Sequence, residues 1–253
     1  MEKVARWKWH VRGNWSPRED RIPSAVWLGV LWVGMLLGFG FDASRFLAQH
    51  PPLLLHLHAA TFTIWMFLLT AQVLLVVRDR VPLHRQLGWF LAAWACLMGA
   101  MGPVGVYTSV MMQVKAAHGP IPYPFISVHV VDIGGFLVLL AIGIALRKNP
   151  AAHKRMMILS TVALADPGFN RFIGYFYPND SPTIFLYFLY VFYGNILLVA
   201  LMLGWDIYRG RLIRSHVIAS ISLLTCMYVA SVLYYWKPWQ DLTLRWVTAW
   251  AKS

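Results

Sequence analysis

Acidic side chains are scarce in this chain of 253 residues: ten Asp and Glu stand against 22 Lys and Arg, and charged residues together make up 13% of the sequence. So little charge cannot clothe the surface of a soluble protein of this size. Cysteine is nearly missing, with only Cys96 and Cys226. That excludes a disulfide framework or a thiolate metal cluster, and since both cysteines sit inside apolar runs they read as packing residues. No serine-centred hydrolase elbow, phosphate-cradling glycine loop or HExxH zinc helix occurs, which removes three common enzyme signatures. No linker or low-complexity stretch divides the chain, so 1–253 reads as one domain.

What is abundant is apolar. Hydrophobic residues make up 59% of the chain and the mean hydropathy is +0.57, the balance of a polytopic membrane protein. A hydrocarbon layer of about 30 Å takes about 20 helical residues to cross. Seven runs of this kind occur, near 24–41, 53–77, 86–107, 125–146, 156–173, 183–205 and 217–236. The expected fold is an all-α bundle of seven transmembrane helices over 24–236, because a barrel would show short alternating strands instead. Residues 1–22 interleave Trp7, Trp9 and Trp15 with basic side chains, the composition of an amphipathic cytoplasmic segment at the headgroup layer. This polar stretch ahead of the first apolar run also reads that run as a retained helix, not a cleaved signal. Residues 237–253 are expected to form an outer tail.

Basic residues set the orientation. An amino terminus inside gathers Lys3, Arg6, Lys8, Arg12, Arg78, Arg80, Arg85, Arg147, Lys148, Lys154 and Arg155, among others, on the cytoplasmic face. Only Arg45, Lys115, Arg171, Lys237, Arg245 and Lys252 are left outside. The carboxyl terminus is then periplasmic, and the expected location is a bacterial inner membrane. Topology alone explains the formal net charge of +12, so membrane lipid, not nucleic acid, is the expected partner.

A repeat runs through the middle of the chain. HLHAATFTIWMFLLTAQVLLVVRDRVPLHRQLGW and HVVDIGGFLVLLAIGIALRKNPAAHKRMMIL both read histidine, apolar helix, basic turn, then a second histidine opening the next helix. His58 precedes His84 by 26 positions and His129 precedes His153 by 24, as a duplicated helical hairpin of helices two–three and four–five would.

The histidines and carboxylates fall in two layers. His58 lies about five residues into helix two, roughly 8 Å below the outer surface. Its neighbour His56 points elsewhere and is left at the interface. His129 and Asp132, three apart, share a face of helix four, and LADPGFNRFIGYF brings Asp166, Asn170 and Arg171 to the outer end of helix five, distorted by Pro167. Facing lipid, Asp or Arg would cost about 2.5–3.5 kcal/mol each, so these groups must meet one another or water. One reading is a satisfied structural network in which Asp132 or Asp166 pairs with Arg171; the other is a functional pocket, with Asn170 and Arg171 lining it. On the inner side His84 and His153 occupy corresponding places, where they either meet across the bundle on a shared metal or haem iron or belong to ordinary interfacial basic clusters. His10, His50, His118 and His216, in tails and loop edges, are assigned no role.

LHLHAATFTIW, HRQLGW and AHKRMMIL resemble a group of uncharacterised bacterial inner-membrane proteins over roughly residues 53–172. The histidine pattern also resembles, more distantly, the cytochrome b561-type electron carriers, whose four-helix core holds two b-type haems. That resemblance implies an outer haem between His58 and His129 and an inner one between His84 and His153, with electrons passing from a quinol or other redox partner across the membrane. Two alternatives stand beside it. An outward-facing metalloenzyme would use His58, His129 and Asp132 or Asp166 to hold zinc or iron with one position open for water. A proton-coupled transporter would use Asp132 or Asp166 with a broken helix five, and an accessory subunit of a larger membrane complex would need no chemistry at all.

Overall fold

Water supplies hydrogen bonds that lipid cannot, so the backbone of a crossing segment must satisfy itself. In the computed structural model, which describes residues 17–116, 123–177 and 183–252, every regular element is helical. A short 3-10 turn (Pro17–Asp20) leads into α1 (Arg21–Ala48), followed by α2 (Leu53–Val77) and α3 (Val81–Ala116). A second turn (Tyr123–Phe125) opens α4 (Ile126–Ala145), then come α5 (Pro150–Val162), α6 (Asp166–Phe176), α7 (Ile184–Tyr208), α8 (Arg214–Tyr235) and α9 (Lys237–Trp250). The basic segment up to residue 16, with His10, and the outer-loop His118 lie outside the described residues.

Six helices, α1, α2, α3, α4, α7 and α8, are long and apolar enough to cross a membrane. The protein is a multi-pass helical membrane bundle. The expected fifth crossing at 156–173 is not one helix: the chain leaves α5 at Val162 and starts α6 at Asp166. Pro167 explains the break, since it has no N–H for the ladder and disfavours helical backbone at the residue before it. Residues 237–250, expected as tail, form α9, whose Thr243 and Val247 are buried and whose Trp239 indole donates to the Pro124 carbonyl at 3.1 Å. Cys96 and Cys226 are free and exposed, so they face outward and are not packed inside.

Tight connections make sequential helices antiparallel neighbours. The α2–α3 turn is closed by Asp79 at φ 58° and the α7–α8 turn by Gly210 at φ 63°. Asn149 caps α5 by accepting from the Ala152 N–H, with Pro150 in the first turn. The two hairpins of the repeat, α2–α3 and α4–α5, pack around Trp65, whose indole donates to Thr161 Oγ1 at 3.1 Å while its ring meets Phe136 edge-on at 5.0 Å. That joins α2, α4 and α5 at the centre of the main core.

α5 and α6 run beside α1 and in the same direction. Lys154 and Arg155 reach Asp20 just ahead of α1, Phe169 packs on Gly34, and Arg171 donates to Asp42 at 3.2 Å. Contact is closest at Gly38, where an added Cβ would lie 1.7 Å from the Gly168 carbonyl oxygen. Small residues allow such approach between helices in lipid. Gly38→Leu should therefore lower detergent-phase stability by about 3 kcal/mol or more, read as a fall in Tm, while Gly40→Leu, with nothing within 4 Å of its Cβ position, should leave Tm unchanged.

Candidate functional site

α7 packs against the helix break and donates side-chain hydrogen bonds to backbone on both sides of it. Asn195, fully buried, donates from Nδ2 to the Val162 carbonyl at 2.7 Å, and the Tyr193 hydroxyl donates to the Phe169 carbonyl at 2.6 Å. α7 is itself irregular beside them, with Phe192 at φ −109°, ψ 15°.

Asp166 is the first residue of α6, and its carboxyl group comes within hydrogen-bonding range of Asp132 on α4. Both side chains are buried, with 1% and 3% of their surface exposed, and each leaves Oδ1 without a hydrogen-bond partner. Two carboxyl groups this close in a low-dielectric interior repel each other strongly when both are charged. His129, one turn back along α4, brings Nδ1 to 3.9 Å from Asp132 Oδ2.

His58 lies on α2 with its ring turned to α3. Nδ1 meets the Met101 carbonyl at 3.0 Å, Gly105 leaves space for the ring, and Phe62 lies against it at 4.5 Å. Arg171 stands at the rim: it pairs with Asp42, not with Asp132 or Asp166, donates to the Pro167 carbonyl and lies over Phe39. Asn170 is half-buried on α6 and His56 is exposed against Phe46. Thus His129, Asp132 and Asp166 are brought together, with His58 beside them and Arg171 outside. No group of three or more His, Cys, Asp or Glu able to hold a metal occurs among the described residues, so the four-ligand set of His58, His129, Asp132 and Asp166 does not assemble.

At the inner end His84, in the first turn of α3, and His153, in the first turn of α5, approach with ring centres 6.2 Å apart. His153 Nδ1 meets the Gly143 carbonyl at 2.7 Å, whereas His84 Nδ1 is buried without a hydrogen-bond partner. A porphyrin standing between these rings would reach at least one helical turn, about 5.4 Å, into the bundle. There Leu69, Leu91 and Met156, at most 3% exposed, are packed in the main core. A porphyrin on His58 and His129 would set its apolar edge against the Asp132–Asp166 pair. The residues present do not fit a haem at the inner pair, and the outer pair offers it an unfavourable neighbour.

Sequence reasoning missed a second buried cluster. Asp206, at the end of α7, accepts from Arg155 Nε at 2.7 Å and also from its terminal nitrogen, and lies 2.8 Å from His216 Nδ1. Arg155 also donates to Asp20 at 3.2 Å, Lys154 pairs with Asp20, and Glu19 pairs with Arg209 and Arg211. Much of the inner basic charge is therefore spent on binding α5, α7 and α8 to the residues ahead of α1. The only signal for this was a lone Asp near the end of an apolar run.

Removing one partner of a buried ion pair leaves the other uncompensated. Asp206→Asn should lower stability by about 3–5 kcal/mol, and a joint Arg155→Met, Asp206→Leu replacement should recover most of it; unfolding in mild detergent reads both.

Compared with family models, with curated proteins and with solved structures, the chain finds no match in any of the three.

Proposed function

We propose that the protein is a proton-coupled membrane carrier whose proton site is the Asp132–Asp166 pair. One observation carries the reading: two carboxyl groups meet in the buried interior at the point where a helix is broken. Ionisable groups inside a membrane bundle mark ion or proton pathways, and discontinuous helices form the binding centres of carriers.

In this reading α5 and α6 together make one discontinuous crossing, giving seven in all with the amino terminus cytoplasmic. Their course beside α1 from Asp20 to Asp42 supports it. A proton shared by the two carboxyl groups holds α6 against α4. Its loss sets two negative charges against each other, and the turn at 163–165 lets α6 swing away. His129, next to Asp132, passes the proton to the outer side. At the opposite end, the Asp20–Arg155–Asp206 network fixes α5, so motion concentrates in α6.

An infrared difference spectrum across a pH step should show a protonated-carboxyl stretch that disappears in both Asp132→Asn and Asp166→Asn. Proton flux into reconstituted vesicles should fall in these variants to the level of empty vesicles. Flux that follows sodium instead, or that survives both substitutions, would sink the proton reading.

A further inference from the structure

The inner histidine pair is left over by that reading, and its surroundings point to a ligand of its own. With metal–nitrogen bonds of about 2.0 Å and about 1.1 Å from nitrogen to ring centre, two imidazoles on opposite sides of one ion have centres about 6.2 Å apart; at a tetrahedral angle the separation is about 5.1 Å. The observed 6.2 Å between ring centres leaves room for one ion between the two imidazoles. His153 has Nδ1 committed to the Gly143 carbonyl, which fixes the ring and leaves Nε2 for a ligand, the usual backing of a metal-bound histidine. His84 Nδ1 is buried and has no hydrogen-bond partner.

Two further side chains lie about a helical turn away. Gln72 is 6% exposed, yet neither its amide nitrogen nor its amide oxygen has a partner. The nitrogen lies 3.8 Å from where a Cβ on Gly88 would stand, one turn above His84. Met157, one turn above His153, places its sulfur 2.9 Å from the Cβ position of Gly143, the residue whose carbonyl holds His153.

We propose that His84, His153 and Met157 bind one copper(I) ion at the inner end of the bundle, with the Gln72 amide beside it. Two features choose the ion. Two imidazoles with few further donors suit a metal of low coordination number, and a thioether is a soft ligand that selects copper(I). The site uses neutral ligands only and adds no buried negative charge. It lies apart from the Asp132–Asp166 centre and does not depend on its chemistry.

The test uses the full chain, purified in detergent, stripped with a chelator and titrated with copper(I) under reductant against a coloured competing chelator. One ion per chain is expected, held about a hundredfold more weakly in His84→Ala and in His153→Ala. His84→Gln keeps a polar group and guards against misfolding, with the Tm of the stripped protein confirming that each variant is folded. X-ray absorption should show a copper–sulfur scatterer that Met157→Leu removes while the nitrogen shell remains. Asp132→Asn and Asp166→Asn should bind copper like the wild type, so this proposal and the proton reading fail separately. Equal copper affinity in wild type and both histidine variants would overturn it, as would tighter retention of zinc(II) or a stoichiometric haem band lost with His84.

Discussion

Every polar group taken into this bundle must find its partner within the protein, because the surrounding hydrocarbon offers none. The break between α5 and α6 is where that constraint presses hardest. Asn195 and Tyr193 of α7 add side-chain donors to the Val162 and Phe169 carbonyls on either side of it, tying both halves to α7.

The polar side chains are sorted by depth. At one end lies a charge-balanced cluster in which Asp20 and Asp206 share Arg155 between them. Close by are the imidazoles of His84 and His153. In the other half lies the carboxyl pair, with a histidine at its shoulder. The main core, with Trp65, Phe136, Met98 and Met156, lies between this last layer and the others.

Much of this arrangement was legible in the sequence. Run length and apolar composition located the six helices long and apolar enough to cross a membrane but not the break in the run at 156–173, and the histidine spacing in the two hairpins foretold that His84 and His153 would stand at equivalent places. The placement of Asp132 and Asp166 at one level followed from residue counts along two helices. What the sequence could not convey was partner choice. Arg171 looked like the natural counter-ion for Asp166, but α6 turns it toward Asp42 at the end of α1, a contact 129 positions away. Asp206 and His216 each looked unremarkable because their meaning comes from Arg155, on a helix far off in the chain. His58, expected to face His129 squarely, is claimed by the Met101 carbonyl of its own hairpin.

Phe169 shows what the closest packing means for motion. Its ring is gripped between Gly34 of α1 and Gly194 of α7, where an added Cβ on either glycine would come within 2.3 Å of the ring. Tyr193 of α7 meets the same ring edge-on at 5.8 Å and donates to the Phe169 carbonyl. The ring thus works as a peg: α6 is confined laterally between two backbone walls.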